Sequence, residues 1–543
     1  MDKRSVVSAL VVTTLATSVG LTGAAADDGR ADRTPPAATD RARAAAAALD
    51  RATALLTGAD RAPDRAPDRE ATLVLRDLAL QRAALTGADR TAADALLARP
   101  TAAEGGAHLG APAARTWAPP LCGPNVCVHY ALDTDDAPDL TDGPDEGTTP
   151  DYVDAVLATL EQVHATYVAA GYRPPKSDGT NGGDPRTDIY LADVGALGLY
   201  GFCTSDQQPI GPPWDVWAYC LLDNDYAPDE FPTNTPLENM QVTAAHEYFH
   251  AVQFAYDIGE DTWFMEGTAT WAEDELFDDV DDSAFYLRYG QLGDPGPGPS
   301  YAGPATSLDA GRGLNVYGNW VFFRYLTERF PAEAGGLPTL VRSMWRNADA
   351  APGAKDRYSL QAVRRALAGA GADLGTVYAD FADANRRPGR VYEEGGSHPY
   401  PRPPLARRAT LTRNQRVAER RVDLDHLTSA TVRFRPGSGL AARGWRLRLV
   451  LDLPHRGRGS HAVVTSYDRD GDVTTRRVKL DRTGAGAVSV PFGSRRVRHV
   501  EVTLVNASTR TTRCWSDERL TYSCGGVPRD DGLRARVRGT ARQ

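Results

Sequence analysis

The chain has 543 residues, which is too long for one hydrophobic core, so two or three folded units are expected. With 42% hydrophobic and 24% charged residues, the composition is that of a soluble globular protein. The net charge of −10 argues against nucleic acid as a partner, because binding to phosphates needs a concentrated basic face.

The first 26 residues have the pattern of a secretory signal peptide. Lys3 and Arg4 precede an uncharged apolar run, and the small residues Ala24, Ala25 and Ala26 offer a cleavage site. No later apolar run approaches the roughly 20 residues that span a bilayer, and there is no terminal lipidation motif. The sequence therefore predicts a protein that is secreted after cleavage near Ala26 and has no membrane span.

Residues 27–118 are rich in Ala, Arg, Asp and Leu and contain helical patterns, for example at 41–56 and 70–85. Aromatic and β-branched residues are too few to build a core, so we predict a helical pro-segment or a loosely ordered arm. The segment has no cysteine, which excludes a thiol that caps a metal. Any inhibition by this segment would be steric.

The six cysteines form three close pairs, and an even number in an exported chain favours disulfides over metal ligation. Local pairing is the simplest arrangement, and it joins Cys122 to Cys127, Cys203 to Cys220, and Cys514 to Cys524. The spacing of the first pair also suggests zinc, but no second pair of cysteines or histidines follows at the distance of a zinc finger.

Helical and strand patterns mix in residues 119–404. Residues 126–130 and 187–192 read as strands, and residues 149–170 read as a helix that opens at Thr149 and Pro150. From 405 to 527 the pattern alternates and is rich in β-branched residues, which predicts short strands in a β-sandwich. We predict that the basic tail at 528–543 is disordered.

One helix in the mixed region has a strong start signal. Thr235, Pro236 and Glu238 supply a capping hydroxyl, a proline in the first turn and a glutamate at the third position, which together form a capping box. The helix should continue to about Asp257, and Gly259 could provide a left-handed stop.

The same helix contains the stretch AHEYFHAVQFAYD. His246 and His250 lie one turn apart on one face, so both imidazoles can reach one ion at about 2.0 to 2.1 Å. Glu247 lies about 100° around the helix and can address a metal-bound water without ligating the metal. This His-Glu-x-x-His arrangement predicts a zinc site. The structural alternative is a buried helix whose histidines satisfy each other.

A catalytic zinc ion needs a third protein ligand and one open position. Glu266 is the ligand we favour, because Gly267 and Ala269 beside it would let its helix pack closely on the histidine helix. The segment around it, WFMEGTATWAE, resembles the element that carries the third zinc ligand in gluzincins, especially the zinc aminopeptidases. This resemblance implies that Glu266 is the ligand and that Glu273 is a carboxylate that orients a histidine.

The segment NVYGNWVFFRYL resembles the helix start at which zinc aminopeptidases place an oxyanion-stabilising tyrosine, and Tyr317 is the matching position. A phenol opposite zinc would stabilise charge on the attacked carbonyl oxygen. The alternative is a tyrosine that caps a packed aromatic helix. The aminopeptidase segment Gly-x-Met-Glu-Asn is absent, so an endopeptidase is the better interpretation. In gluzincins an edge strand pairs with the substrate, and residues 188–201 are the candidate here.

Residues 121–527 as a whole resemble a family of secreted bacterial metalloproteases of gluzincin type. The resemblance implies an α+β chain with a zincin-like catalytic domain at 119–404 followed by the β-sandwich at 405–527. It also implies a zinc metallopeptidase with His246, His250 and Glu266 as ligands, Glu247 as general base, and a protein or peptide as substrate.

Two other functions stay open. The first is a secreted adhesion or envelope protein that uses a zincin-like domain as a metal-stabilised scaffold, and the second is a nonpeptidic zinc hydrolase. A second ion, Ca²⁺, has weak support from Asp468, Asp470 and Asp472. Their loop lacks the distal glutamate of a calcium site, so a hairpin turn is the favoured prediction.

Overall fold

The structure is a computed structural model that describes residues 38–58, 71–101, 115–141, 149–294, 302–398, 400–514 and 521–543. The predicted signal peptide at 1–26 lies outside these residues. Helices and several sheets are present together, so the α+β class is confirmed. Among the described helices, none has the length and apolar character that crossing a membrane requires.

The N-terminal segment contributes three helices, α1 (Ala38–Leu56), α2 (Ala71–Gln81) and α3 (Gly87–Leu96). Alanines and leucines of these helices pack together on one side, as their helical spacing predicts.

The first sheet has five strands, β1 (Leu121–Cys122), β2 (Val126–His129), β3 (Thr187–Ala192), β4 (Gly201–Thr204) and β5 (Tyr219–Asp223). Their order is β1-β2-β3-β5-β4, with β2, β3 and β5 parallel and both outer strands antiparallel. The prediction that residues 188–201 form the edge strand is wrong. β3 lies inside the sheet because its residues are apolar on both faces, and β4 forms the edge.

Both faces of this sheet are covered. Ile189 and Leu191 belong to the core shared with α4 (Asp151–Ala169) and α5 (Pro236–Asp257), whereas Tyr190 and Ala192 belong to the core shared with α1 to α3. Successive residues of a strand point to opposite faces. The N-terminal helices therefore form a layer on the side opposite α4 and α5.

The remaining elements of the mixed region follow α5 in the chain. They are α6 (Thr262–Leu276), α7 (Asn315–Gly318), α8 (Trp320–Arg329), the short pair β6 (Glu333–Ala334) and β7 (Leu337–Pro338), α9 (Thr339–Asn347), α10 (Leu360–Gly369), α11 (Leu374–Ala384) and α12 (Pro388–Val391). Aromatic residues of α5, α6, α8 and α9 belong to one main core.

The C-terminal region consists of strands. They are β8 (Arg407–Leu411), β9 (Val417–Leu424), β10 (Thr428–Pro436), β11 (Arg446–Asp452), β12 (Ser460–Asp468), β13 (Val473–Arg477), β14 (Ala485–Pro491), β15 (Val497–Asn506), β16 (Thr511–Thr512), β17 (Val527–Pro528) and β18 (Leu533–Arg542). One sheet has the order β13-β12-β15-β10-β8 and another the order β14-β11-β18-β9. Apolar residues of both sheets share one core.

The prediction of a disordered tail at 528–543 is wrong. β18 pairs with β11 on one side and β9 on the other. Ala535, Val537 and Ala541 are buried, while the arginines between them face outward. The basic composition suggested a tail, but arginine at every second position is the outer face of a half-buried strand.

The predicted cysteine pairs and the predicted hairpin turn near Asp468 are confirmed. The three disulfides are Cys122–Cys127, Cys203–Cys220 and Cys514–Cys524. The loop at 468–472 is the turn of the hairpin formed by β12 and β13, and the carboxylate of Asp468 pairs with Arg496 at 2.8 Å.

The strand-rich region is joined to the mixed region by buried polar contacts. His426 Nε2 lies 2.7 Å from Asp309 Oδ1, and its Nδ1 lies 3.0 Å from Asp531 Oδ1. The backbone N–H of Cys524 donates to Asp261, the residue that precedes α6. The strand-rich region therefore contacts the start of the helix that carries Glu266.

Candidate metal centre

The start of α5 fixes the register of the histidine helix. The hydroxyl of Thr235 accepts a hydrogen bond from the N–H of Glu238, and the Glu238 carboxylate accepts one from the N–H of Thr235. The predicted capping box and the helix end at Asp257 are confirmed. Gly259 does not adopt the left-handed conformation that we expected. Its N–H instead donates to the Asp257 carboxylate at 2.8 Å.

Three atoms of the predicted ligands in α5 and α6 converge. His246 Nε2 lies 3.0 Å from His250 Nε2 and 3.2 Å from Glu266 Oε2, and the distance from His250 Nε2 to the same oxygen is 3.6 Å. Atoms bound to one zinc ion at about 2.0 to 2.2 Å in tetrahedral directions lie roughly 3.3 to 3.6 Å apart. The predicted ligand residues therefore lie close enough together to share one ion.

The other nitrogen of each imidazole has a fixed partner. His246 Nδ1 lies 2.5 Å from Glu273 Oε1, and His250 Nδ1 lies 2.7 Å from Gln253 Oε1. The amide of Gln253 is itself oriented, because its nitrogen donates to the carbonyl oxygen of Met265. Both Nδ1 atoms thus face acceptors. When the rings are neutral, as a metal ligand must be, each Nδ1 therefore carries the proton and each Nε2 keeps a lone pair.

This arrangement fits a cation. Two imidazole lone pairs and a carboxylate oxygen face one another in a buried space, and Glu266 Oε1 has no hydrogen-bond partner among the described residues. Three acceptors without a positive charge between them would repel, and buried polar atoms are costly when left unpaired. Two histidines and a glutamate are the ligand set of a catalytic zinc ion with one open position.

The pKa values of two residues in the site also fit a bound cation. Burial disfavours the charged form of His246, but hydrogen bonds to Glu266 and Glu273 outweigh it and raise the pKa of His246 to about 10. Burial also disfavours ionised Glu266, but His250 and His246 lower the pKa of Glu266 to about 2. Both shifts mean that the surrounding groups favour a positive charge beside an ionised Glu266.

Glu247 lies next to the ligands and is also buried. Burial raises the pKa of its carboxyl, against the opposing effect of His246 and His250. Its Oε2 accepts a hydrogen bond of 3.0 Å from the hydroxyl of Thr72 in α2. The same hydroxyl accepts a bond of 2.8 Å from the N–H of Cys203 on the edge strand β4. Helix α2 therefore reaches both the candidate base and the neighbouring strand edge.

Tyr317 is buried, and its ring centroid lies 6.1 Å from that of His246. The structure thus brings Tyr317 close to the ligands, in the short helix α7. It packs at the same time against Tyr286, with ring centroids 5.2 Å apart.

Gly267 does not make room for the histidine helix, as we expected, but for another helix. A Cβ at this position would lie 2.9 Å from Cε2 of Phe323, in α8. The missing side chain therefore makes room for α8 rather than for the histidine helix.

Two residues of the site were missed in the sequence. Gln253 lies three residues after His250, and this spacing on the predicted ligand helix could have revealed it. Thr72 lies far away in the chain, and no local pattern could have placed it at Glu247. Across the whole chain, no family model matches and no curated protein is similar.

Proposed function

We propose that this protein is a secreted zinc metallopeptidase, with zinc held by His246, His250 and Glu266. The observation that carries the proposal is the convergence of three buried acceptors whose imidazoles are oriented by Glu273 and Gln253. Histidine ligands in zinc sites are commonly oriented in this way by a carboxylate or an amide oxygen. The disulfides support an oxidising destination and therefore secretion.

In peptide hydrolysis the ion and the side chains of the protein would have separate roles. Zinc in such a site lowers the pKa of water and polarises a peptide carbonyl. Glu247 accepts the proton of the attacking water and returns it to the leaving amine. Burial raises the pKa of this carboxyl, which favours its taking up a proton. Tyr317 donates its phenol hydrogen to the carbonyl oxygen as negative charge develops there.

The surroundings support a zincin-like interpretation of gluzincin type. The histidine helix α5 packs with α4 on one face of a sheet that has parallel strands and an antiparallel edge strand. Helix α6, which packs against α5, supplies the glutamate. We propose residues 119–404 as the catalytic domain and 405–527, extended by β18, as a β-sandwich domain. The N–H groups along β4 would pair with an extended substrate, which favours an endopeptidase.

We further propose that the described form is latent and that residues 27–118 are a pro-segment. Thr72 occupies the positions at which Glu247 and the N–H of Cys203 would meet a substrate. Two buried arginines anchor the segment. Arg76 donates to the carbonyl of Glu260 at 2.8 Å, and Arg99 pairs with Asp178, Asp188 and Asp206. Release of α2 would open the path to the zinc site.

One observation favours the scaffold alternative. The N-terminal helices cover an apolar face of the sheet that includes Tyr190, Phe202, Tyr219 and Leu221, each at most 1% exposed. A segment that buries such a face is costly to remove. If it stays in place, the site would hold a structural ion and the protein would act through binding.

A controlled release experiment separates these functions. A recognition site for a specific protease is inserted between residues 101 and 115, and a peptide library and simple esters are assayed before and after the cut. We expect peptide cleavage to appear after the cut, to disappear with a chelator and to return with zinc. Ester hydrolysis without peptide cleavage would indicate a nonpeptidic hydrolase.

The matched variant is Glu247→Gln. It should bind zinc as the wild type does and lose roughly 10²- to 10⁴-fold in rate, the usual contribution of a general base. Unchanged activity in this variant would refute the mechanism. Bound zinc without hydrolysis in the released wild type would support the scaffold function instead.

A further inference from the structure

A cavity of about 330 Å³ lies between α11–α12 and the strands β10, β12, β13 and β15. The residues that line it are distant in sequence from the predicted metal ligands. Its wall contains six arginines, which are Arg386, Arg387, Arg390, Arg402, Arg433 and Arg498. Three carboxylates, from Asp468, Asp472 and Glu501, also line it. Positive groups are therefore in excess.

The buried carboxylate of this cavity is already paired twice. Glu501 is 1% exposed and accepts hydrogen bonds from Arg386 at 3.1 Å and from Arg433 at 2.8 Å. Two guanidinium groups thus share one carboxylate. This part of the wall keeps a net positive charge although every group in it has a partner.

The remaining carboxylates do not balance the remaining arginines. Asp468 is paired with Arg496, and Arg387 is paired with Asp383 at 2.8 Å. Both of these partners lie outside the cavity wall, so Asp472 is the carboxylate that remains beside Arg390, Arg402 and Arg498. Arg390 donates to the carbonyl oxygen of Gly471, and this acceptor carries no charge. Arg402 and Arg498 are exposed and form no hydrogen bond or ion pair with any residue that the structure describes.

An aromatic pair completes the wall. The rings of Tyr467 and His499 stack with centroids 4.3 Å apart, and His499 is 8% exposed. Its Nδ1 is buried and has no hydrogen-bond partner among the described atoms. Its Nε2 lies 3.7 Å from the Glu501 carboxylate. Burial, together with Arg433, lowers the pKa of His499 to about 4, so the ring is neutral at pH 7 and adds no charge to the wall.

We propose that this cavity binds a small organic polyanion that carries two or more carboxylate, sulfate or phosphate groups. Arg390, Arg402 and Arg498 would contact the anionic groups, since a guanidinium recognises planar or tetrahedral oxyanions through paired N–H donors. Residues from both sides of the junction line the cavity, so the bound anion would tie the strand-rich region to α12.

The test uses the full chain and three probes at constant ionic strength, which are inorganic phosphate, citrate and a sulfated disaccharide. Binding is measured by titration calorimetry and by the shift of the melting temperature. We expect saturable binding of citrate or the disaccharide, with inorganic phosphate at least tenfold weaker because it reaches fewer arginines. The stronger of the two organic probes identifies the anionic group.

The variant is Arg402→Ser with Arg498→Ser, and the matched control is Arg443→Ser. All three arginines are exposed and unpaired among the described residues, so these variants should fold as the wild type does, which circular dichroism checks. The double variant should lose at least tenfold in affinity and the control should lose none. Equal binding by both, or phosphate binding as tight as that of the organic probes, would mean adventitious ion binding only and would overturn the proposal. Absence of saturable binding by every probe would overturn it too.

Discussion

Thr72 and Glu247 are joined by a hydrogen bond of 3.0 Å, although 175 residues separate them in the chain. The hydroxyl lies between the carboxylate of Glu247 and the N–H of Cys203. The candidate catalytic helix and the open edge of the sheet are thus linked through a single side chain of α2. Substitution of that side chain tests whether α2 controls the site.

Replacement of Thr72 by valine keeps the shape of the side chain and removes both hydrogen bonds. We expect the free energy of unfolding to fall by about 1 to 3 kcal/mol, because Glu247 and the Cys203 N–H are left buried without this partner. Hydrogen exchange of the α2 amides should become faster. The control is Thr91→Val, in the exposed part of α3, where the hydroxyl only contacts the carbonyl of Gly87. Equal effects of the two substitutions would show that Thr72 has no special role in docking.

Replacement of Glu273 by glutamine should weaken zinc binding by about 10- to 100-fold, the usual effect of losing a partner that orients a ligand. The carboxylate lies 2.5 Å from His246 Nδ1 and helps to set which nitrogen faces the ion. Competition with a chromogenic chelator measures the affinity. Asp279→Asn, which changes an exposed carboxylate shortly after the end of α6, is the control. Wild-type zinc affinity in the Glu273 variant would show that Glu273 does not orient a metal ligand.

Stability should depend on pH through His426. Burial opposes its charge, but Asp309 and Asp531 raise the pKa of His426 to about 10. The folded pKa is higher than the unfolded value, so this stabilisation is fully present below about pH 6.5 and is lost as the pH rises through 10. The free energy of unfolding should therefore fall over this range by up to about 5 kcal/mol.

Chemical denaturation of wild type and His426→Gln between pH 6.5 and 10 measures this effect. The difference between the two proteins should be largest near pH 6.5 and shrink towards pH 10. His455→Gln, at an exposed position, should follow the wild-type curve. A constant difference across the range would show that the charge of His426 does not stabilise the junction.

Removal of the Cys514–Cys524 disulfide should affect both stability and metal binding. The N–H of Cys524 donates to Asp261 at the start of α6, and the N–H of Ser523 donates to Asp309 at 3.1 Å. We expect Cys514→Ser with Cys524→Ser to lower the free energy of unfolding by about 3 kcal/mol and to weaken zinc binding several-fold. Cys122→Ser with Cys127→Ser, at the sheet edge opposite β4, should lower stability alone. Unchanged zinc affinity in the variant without the Cys514–Cys524 disulfide would show that this loop does not influence the metal site.

Features with a local cause could be predicted from the sequence. The capping box at Thr235, the end of α5 and the three cysteine pairs depend on residues close together in the chain. Glu266 and Glu273 also fall on one face of a single helix, because seven residues make about two turns. These local regularities are sufficient to predict the residues of the candidate site from the sequence.

Features with a long-range cause could not be predicted. Thr72 reaches Glu247 only because α2 packs at the edge of the sheet. The space at Gly267 is filled by Phe323, from a helix that follows later in the chain. β18 looked disordered because its composition is basic, and its buried face becomes evident only beside β9 and β11.

The place of β18 has a consequence for the order of folding. β9 and β11 do not pair with each other, and β18 fills the gap between them. The sheet can close only after residues 533–542 have been synthesised, and the chain must then bring together segments that lie far apart in sequence, which is slow. Until that moment two strand edges stay open to pairing with other chains. A variant that ends before Leu533 should therefore aggregate even though every residue of the metal centre is intact.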